Sequence, residues 1–314
     1  MSPQRPSTRH CLTLQEFTPK EVESLLALAA RVKARPAAFR SALAGRSLAM
    51  IFEKSSTRTR VSFEVAMTQM GGHALHLNGD EMKLGRRETV GDTARVLSRY
   101  VDGIMIRTFG HDIVEELARY SDVPVVNGLT DSHHPCQALA DTLTMKERFG
   151  RLKGLTLVYV GDGNNVTHSL MVAGAQLGMS VRVVCPKGYE PSRRVLAWAQ
   201  KTGRATGGRC SVTHEVKGAA KGAQAVYTDV WTSMGQEAES RKRLKDFKGY
   251  QVDERLMAEA PKAIFLHCLP AHRGEEVSAG VMDGPQAAVW DQAENRLHAQ
   301  KAVLLTLLGK QKKS

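Results

Sequence analysis

The segment SSTRTR, residues 55–60, places two serines, two threonines and two arginines in six consecutive positions. It follows the apolar run SLAMIFE and precedes the helical pattern RVSFEVAMTQM, which puts it at a turn from a strand into a helix. Free backbone amides, the positive end of the helix dipole and the hydroxyls of Ser56, Thr57 and Thr59 favour an anion there. Arg58 adds a planar guanidinium suited to two contacts with one phosphate. The same residues would also make an ordinary helix N-cap, so the segment alone leaves both interpretations open.

Two segments that contain histidine and cysteine also follow apolar runs. DSHHPCQALAD, residues 131–141, places His134 before a proline that suits a first helical turn. FLHCLPAHRGEEV, residues 265–277, places His267 and Cys268 at the end of another strand. Such side chains can serve a zinc site, a cysteine–histidine hydrolase or an anion site for a second substrate. Neither segment has the zinc spacings C-x-x-C or H-E-x-x-H, so the pattern favours the anion site.

A glycine-containing turn, VYVGDGNNVTHS at residues 158–169, begins like a dinucleotide-binding motif. Val166 stands where the third glycine of that motif would be, and no acidic residue closes the following strand SVRVVCP. A dehydrogenase is therefore disfavoured. Asp162, Asn164 and Asn165 can contact a polar ligand at the end of the strand, and an Asn N-cap explains the asparagines equally well.

These polar turns need a framework, and the chain has the pattern of alternating strands and helices. Nine short apolar runs predict parallel strands: SLAMIFE, HALHLN, GIMIRTF and VPVVNGL in the first half, and TLVYVGDG, SVRVVCP, RCSVTHE, AVYTDVW and KAIFLHCLP in the second. The predicted fold class is α/β, with two doubly wound domains that each have a central parallel sheet and are joined by interdomain helices.

The boundary between the two domains is predicted near RFGRLKG, where a long helical pattern ends and a new strand begins. This gives a first domain of residues 1–148 and a second of residues 149–293. The final helical segment, about residues 294–314, is expected to pack back on the first domain. No low-complexity linker separates the two domains, so we expect tight coupling with a cleft between them.

Composition limits the classes of protein that fit. The chain has 314 residues, of which 42% are hydrophobic and 24% charged, and it lacks the apolar run of about 18 residues that a membrane span needs. Its five cysteines have no paired spacing, which indicates reduced thiols and a cytoplasmic location. The net charge of +12 is scattered, aromatic residues are only 5%, and no nucleic-acid-binding motif occurs. A basic surface that attracts small anions is therefore favoured over a nucleic-acid partner.

Five motifs, SSTRTR, HPCQALAD, DGNN, DVWTSMGQE and HCLPAHRGEEV, together resemble the aspartate/ornithine carbamoyltransferase family along essentially the whole chain. DVWTSMGQE and the cysteine of HCLP are similar to the members that use ornithine. The resemblance implies transfer of the carbamoyl group from carbamoyl phosphate to the side-chain amine of L-ornithine, giving L-citrulline and phosphate in arginine metabolism. It implies no metal and no organic cofactor, because carbamoyl phosphate is already activated. The alternatives are a carbamoyltransferase that uses putrescine or an N-acylated ornithine as the acceptor, and a phosphate-sensing or nucleic-acid-binding protein.

The resemblance also assigns site residues. It implies that carbamoyl phosphate is bound by Ser56, Thr57, Arg58, Thr59, Lys83, Arg107, His134, Gln137, Cys268, Leu269 and Arg296. It implies that ornithine is bound by Asn165, Asp229, Ser233 and Met234. Catalysis is assigned to Arg107, His134 and Cys268. Lys83 lies in a loop that often reaches a neighbouring subunit in this family. The resemblance also implies a homotrimer or an assembly of trimers. The Leu269–Pro270 bond is expected to be cis.

Overall fold

A computed structural model of the chain describes residues 8–82, 84–85 and 88–309. The chain folds into two compact units. The first unit contains Met1–Cys136 and Arg296–Ser314, and the second contains Gln137–Asn295. The predicted boundary after residue 148 falls instead at the last residue of the helix Pro135–Phe149, and that boundary stays a prediction. Among the described residues, no helix combines the length and the apolar character that crossing a membrane requires.

The described part of the first unit contains a parallel sheet of four strands in the order β2-β1-β3-β4. The strands are β1 (Ser47–Phe52), β2 (His73–Asn78), β3 (Gly103–Arg107) and β4 (Val125–Leu129). The helices are α1 (Pro19–Ala34), α2 (Thr57–Gln69), α3 (Gly79–Met82), α4 (Val90–Tyr100) and α5 (His111–Tyr120), with a 3-10 turn at Pro36–Phe39. Two helices contain the unit boundaries: α6 (Pro135–Phe149) and α12 (Val289–Leu308).

The inner strands of this sheet form the core of the unit. Every residue of β3 is buried, and so is every residue of β1 after Ser47. Strands with helices on both faces of a parallel sheet need such continuous apolar runs, which is why SLAMIF and GIMI could be recognised in the sequence. Strand β2 lies at the edge and is largely exposed.

Helix α1 precedes the first strand and was not predicted from the sequence. Its start is nevertheless encoded by a capping box: the Thr18 side chain accepts from the backbone N–H of Glu21, and the Glu21 carboxylate accepts from the backbone N–H of Thr18 at 2.8 Å. The helix buries Val22, Leu25 and Leu26 on one face. The signal was therefore present in TPKE, at the start of an amphipathic segment.

The second unit contains a parallel sheet of five strands in the order β7-β6-β5-β8-β9. The strands are β5 (Thr156–Val160), β6 (Ser180–Val184), β7 (Arg209–Thr213), β8 (Ala225–Thr228) and β9 (Ile264–His267). The helices are α7 (Asn165–Gln176), α8 (Arg193–Thr206), α9 (Ser240–Asp246), α10 (Glu254–Ala258) and α11 (Ala279–Met282), with a 3-10 turn at Glu237–Glu239. All nine predicted strands are confirmed, and so is the fold class of two parallel-sheet α/β domains.

Each sheet has one place where the strand order reverses. In the first sheet the chain moves outward from β1 to β2 and then returns to β3 on the other side of β1. In the second sheet it moves from β5 through β6 to β7 and returns to β8 on the other side of β5. Ligands of open α/β sheets bind outside the carboxyl ends of strands at such switch points. The polar turns that follow β1, β3, β5 and β8 are therefore the places where a ligand is expected.

Candidate active site

The polar turn after β1 forms the N-terminus of α2. Ser56 is the N-cap, and its Oγ accepts from the backbone N–H of Thr59 at 3.2 Å. Thr59 is buried, whereas Thr57 and Arg58 are exposed. The first turn of this 13-residue helix contains no acidic residue, so no carboxylate of that turn neutralises the positive end of its dipole. The N-cap and the anion site are thus compatible interpretations of the same residues.

Arg107 ends β3 beside the end of β1. Its carbonyl oxygen accepts from the backbone N–H of Glu53 at 2.9 Å and of Lys54 at 3.4 Å. These bonds tie the end of β3 to the segment that leads into the SSTRTR turn. The Arg107 side chain is only 6% exposed, so its charge lies in the interior of the unit at the switch point.

His134 joins three of the predicted arginines in one electrostatic environment. Arg296, on α12, donates from Nη2 to Oγ1 of Thr59 at 3.2 Å. Burial lowers the pKa of His134 well below 6.5, and the charges of Arg296, Arg107 and Arg58 lower that pKa further. The imidazole is therefore neutral, with one N–H to donate, among groups that attract an anion.

The lowered pKa of His134 predicts a dependence of stability on pH. Between that lowered pKa and 6.5, the unfolded chain binds a proton at this residue and the folded chain does not. Stability should therefore fall as pH decreases below about 6.5, by about 1.4 kcal/mol per pH unit for one such group. Urea unfolding at several pH values from 7.5 to 5 in buffers without phosphate measures this slope.

A His134→Gln variant is the comparison for that experiment, because glutamine does not titrate. Burial also lowers the pKa values of His10 and His111, so some pH dependence should remain. In the variant, the slope of the free energy of unfolding against pH should be smaller by about 1.4 kcal/mol per pH unit, which is the contribution of one proton. Equal slopes for the two proteins would show that His134 is not held neutral in the folded chain.

The second unit presents a buried carboxylate at its switch point. Asp229 follows β8 and is 6% exposed. Its Oδ1 accepts from the backbone N–H of Val230 at 2.8 Å and from the thiol of Cys268 at 2.9 Å. Its Oδ2 accepts from Nδ2 of Asn164 at 2.9 Å. Because a thiol that donates a hydrogen bond carries its proton, this geometry describes Cys268 as a thiol and not as a thiolate.

A histidine and a glutamate support the loop that contains Cys268. The backbone N–H of Leu269 donates to Nδ1 of His267 at 2.8 Å, which places the ring proton on Nε2. Nε2 then donates to Oε1 of Glu276 at 3.2 Å, and both side chains are fully buried. The Leu269–Pro270 bond is cis, as the resemblance implied.

The other residues predicted for ornithine lie on the two segments that Asp229 and Asn164 begin. Asn165 is the first residue of α7 and is half-buried. The backbone N–H of Ser233 donates to the side chain of Gln236 at 3.1 Å, and Met234 is exposed. The Asp229 carboxylate is thus buried, whereas Asn165 and Met234, on the segments that follow the two strands, are more accessible to solvent.

Two predicted residues remain. Gln137 is buried in the first turn of α6, and its Nε2 donates to Oδ1 of Asp141 at 2.8 Å. The same Asp141 oxygen accepts from Nε2 of Gln292 at 2.6 Å. Lys83 lies outside the described residues.

Arg243 is a residue that sequence reasoning missed. It belongs to the basic run SRKRLKDFK, residues 240–248, whose composition is typical of a solvated surface, but its side chain is 7% exposed. Its Nη1 donates to Oδ2 of Asp162 at 2.7 Å and to the carbonyl oxygen of Trp231 at 2.9 Å. Arg243 therefore ties the DGNN turn to the loop that follows Asp229. Helix α9 turns this one basic side chain inward toward a buried carboxylate.

The glycine of the DGNN turn, Gly163, has a packing role. A Cβ atom on Gly163 would lie 2.3 Å from the backbone nitrogen of Pro191, a distance that no side chain tolerates. Its backbone N–H also donates to the carbonyl oxygen of Tyr189 at 2.8 Å. Close approach of two backbones explains this glycine without a dinucleotide.

Two groups of side chains among the described residues have the composition of a metal site. Their ligand atoms lie within 4.8 Å of one another in each group, which are Asp229, His267 and Cys268, and His272, Glu275 and Glu276. In the first group the thiol of Cys268 donates a hydrogen bond to Asp229, and Nε2 of His267 donates one to Glu276. The sequence prediction of no metal ligand stays a prediction.

Comparison with known proteins identifies relatives over almost the whole chain. Residues 9–147 match the family model described as aspartate/ornithine carbamoyltransferase, carbamoyl-P binding domain, and residues 153–307 match the model of its Asp/Orn binding domain. Ornithine carbamoyltransferase of Geobacillus stearothermophilus is 57% identical over 303 residues, with 96% of this chain and 97% of that protein covered. The enzyme of that name from Pyrococcus abyssi is 55% identical over 307 residues, which are 96% of each chain.

A solved structure gives the same result. Ornithine carbamoyltransferase from Pyrococcus furiosus superposes with a TM-score of 0.94 and 53% sequence identity, and the match covers 98% of this chain and 99% of that one. The curated relative from the same organism is named as an anabolic enzyme and is 54% identical over 307 residues, which are 96% of each chain.

Proposed function

This chain belongs to the aspartate/ornithine carbamoyltransferase family, and we propose that it transfers the carbamoyl group of carbamoyl phosphate to the side-chain amine of L-ornithine. The products are L-citrulline and phosphate. The observation that carries the proposal is the grouping of the buried His134 with the charges of Arg58, Arg107 and Arg296, in the unit that the carbamoyl phosphate-binding model matches.

In this proposal the phosphate end of carbamoyl phosphate is bound at the N-terminus of α2. Ser56, Thr57 and Thr59 offer hydroxyls and backbone N–H groups, and Arg58 offers a guanidinium fork. The buried charge of Arg107 lies at the neighbouring strand end and contacts the same phosphate. The residues named here belong to one unit and to one switch point, which supports a single anion site.

The carbamoyl end is bound by Thr59 of the same turn and by further groups. His134 and Thr59 donate to the carbonyl oxygen of the carbamoyl group, where negative charge grows in the tetrahedral intermediate. Arg296 holds Thr59 in place and adds a third positive charge. Gln137 and the backbone of Leu269 bind the carbamoyl nitrogen.

The reaction forms a carbon–nitrogen bond, breaks a carbon–oxygen bond and transfers one proton. The lone pair of a neutral amine attacks the carbamoyl carbon, and the carbon–oxygen bond to phosphate breaks with its electron pair going to the phosphate. An alkyl amine of this kind has a pKa near 10, so the site must bind its deprotonated form, which nearby arginines favour by disfavouring a further positive charge. His134 serves as a donor to the oxyanion and not as the base, because burial and the nearby arginines lower its pKa and disfavour the imidazolium that a base would become. The departing phosphate takes the proton that the amine loses.

Ornithine is bound by the second unit in this proposal. The buried carboxylate of Asp229 pairs with the α-ammonium group, and Asn165, Ser233 and Met234 complete the contacts. Cys268, which donates to Asp229, lies where the side-chain amine passes and orients it without forming a covalent intermediate.

Cys268 gives a direct test of that role. A Cys268→Ser variant keeps a donor for Asp229 and should retain kcat/KM for ornithine within about tenfold, whereas Cys268→Ala should lose about 10- to 100-fold, since one hydrogen bond to a charged group is removed. Intact-mass spectrometry of enzyme quenched during turnover should show no carbamoyl adduct. A carbamoylated cysteine would contradict the role.

Assembly, location and direction complete the proposal. We propose a homotrimer or an assembly of trimers, a cytoplasmic location, and the citrulline-forming direction of arginine biosynthesis; the anabolic name of the Pyrococcus furiosus relative supports the direction. Lys83 as a contact to carbamoyl phosphate is part of the same proposal. Sedimentation equilibrium of the purified chain measures the assembly.

A substrate panel tests the activity. Citrulline or its analogue is measured after incubation with carbamoyl phosphate and L-ornithine, N-acetylornithine, putrescine or L-aspartate. We expect L-ornithine to give the highest kcat/KM by at least about tenfold, because a carboxylate pairs strongly with a free ammonium group. Preference for another amine would change the substrate, and no turnover of any amine would contradict the proposal.

A further inference from the structure

We infer that Asn164 is a positioning residue: it holds the Asp229 carboxylate in the orientation that receives the α-ammonium group of the amino-acid substrate. This inference deepens the proposed function and rests on it. Neither the family resemblance nor the sequence pattern distinguished Asn164 from an ordinary N-cap.

The side chain of Asn164 has only one orientation that satisfies its neighbours. Its Oδ1 accepts from the backbone N–H groups of Val166 at 3.0 Å and Thr167 at 3.2 Å, which caps α7. The hydroxyl of Tyr159 donates to the same oxygen at 3.5 Å. Because Oδ1 faces donors, the amide nitrogen must face the other way, and there it meets Asp229.

The contact that results acts on one oxygen of Asp229. Nδ2 of Asn164 donates to Oδ2 at 2.9 Å, while Oδ1 accepts from Val230 and Cys268. A carboxylate has about four acceptor positions, and these three donors occupy three of them. In the described part of the chain Oδ2 accepts from no second donor, so its remaining position is the one left for an ammonium group. The helix N-terminus that fixes Asn164 thereby also fixes the carboxylate.

The topology explains why an asparagine is suited to this place. Asn164 follows β5 and Asp229 follows β8, which are neighbours across the switch point of the second sheet. A cap residue with a donor as well as an acceptor can join the start of α7 to the carboxyl end of the neighbouring strand β8. Serine and aspartate cap helices about as well as asparagine, but serine is too short to reach Asp229 and aspartate has no donor.

These differences separate the positioning role from the capping role. Asn164→Ser should raise KM for L-ornithine by about 10- to 100-fold, because a hydrogen bond to a charged group is lost while the cap is kept. KM for carbamoyl phosphate should stay within twofold and the thermal midpoint within a few degrees. Asn164→Asp should weaken ornithine binding at least as much, because an aspartate caps α7 but replaces the donor to Asp229 with a second carboxylate.

The matched control is another N-cap of the same unit. The Asp253 side chain accepts from the backbone N–H of Leu256 at 2.9 Å and caps α10. Asp253→Ser should leave both KM values within twofold of the wild-type values. This control shows what exchange of a cap does when no substrate-binding residue is attached to it.

The outcomes are distinct. An Asn164→Ser variant with unchanged KM for ornithine would overturn the inference, and so would a loss of stability that accounts for the whole kinetic change. If the wild-type enzyme forms no citrulline, the proposed function fails first. The inference is then decided by calorimetric binding of L-norvaline, which carries the α-ammonium group and no side-chain amine, to the wild-type and Asn164→Ser proteins. Equal affinities would overturn it, and a 10- to 100-fold loss, about that of one charged hydrogen bond, would support it.

Discussion

Replacing Arg107 with methionine is expected to lower kcat/KM for carbamoyl phosphate by about 10³-fold, as loss of one pre-organised charged donor does in other active sites. The side chain is buried at the end of β3 and its charge acts on His134. Methionine matches the apolar stem of arginine, so the change removes the guanidinium group with its charge and leaves most of the packing of the stem. Steady-state kinetics with carbamoyl phosphate varied at saturating ornithine measure the loss.

The same variant makes a prediction about stability. Inorganic phosphate at one hundred times its Kd should stabilise the wild-type protein by about 2.7 kcal/mol, because it binds only the folded state. The Arg107→Met variant should lose most of that gain at the same phosphate concentration. Arg60→Met is the matched control, since Arg60 lies exposed on α2, 3.8 Å from Glu64. If phosphate stabilised the two variants equally, the assignment of Arg107 to the anion site would be wrong.

The strands and their polar turns could be predicted from the sequence for a physical reason. Parallel strands covered on both faces must be continuous apolar runs, and β1 and β3 meet that requirement at nearly every residue. The chain then has to leave each strand through a turn, where Ser, Thr, Asn and Asp cap the next helix. The SSTRTR and DGNN turns are recognisable because strand, turn and helix signals agree there.

Contacts between distant segments could not be predicted in that way. Arg296 donates to Thr59 from a position 237 residues further along the chain, and only the family resemblance suggested that it belongs to this site. Arg243 looks like its solvated neighbours in SRKRLKDFK, because the sequence does not show which side of a seven-residue helix faces Asp162. Neither the charge pattern nor the periodicity of a segment shows which distant residue the fold brings into contact with it.

The asparagines of the DGNN turn show the same limit at closer range. Asn164 and Asn165 are identical in type and adjacent in sequence, and either could cap α7. In the structure Asn164 is the cap, and its Nδ2 donates to Asp229 across the switch point. That bond depends on β5 and β8 being neighbours, a fact of sheet order that the sequence pattern of strands does not contain.

Replacing Asp229 with asparagine is expected to raise KM for L-ornithine by about 10²- to 10³-fold, because truncating one partner of a buried charge pair costs about 2–5 kcal/mol. Asparagine keeps the size of the side chain and one acceptor oxygen. Its amide nitrogen, however, would face the donors of Asn164 or of Cys268 and Val230, whichever way it turns. KM for carbamoyl phosphate should stay within about threefold, because the phosphate end of that ligand is assigned to the first unit, at the N-terminus of α2.

Selectivity makes this prediction specific to the ammonium group. N-acetylornithine has a neutral amide at the α-position, so it gains little from the Asp229 carboxylate, and its kcat/KM should fall much less than that of ornithine in Asp229→Asn. The preference for ornithine over N-acetylornithine should therefore shrink by about tenfold or more. Asp283→Asn is the control, since Asp283 pairs with Arg273 on the surface of the same unit and an exposed pair contributes little. A preference that survives in Asp229→Asn would place the recognition of the α-amino group on another residue.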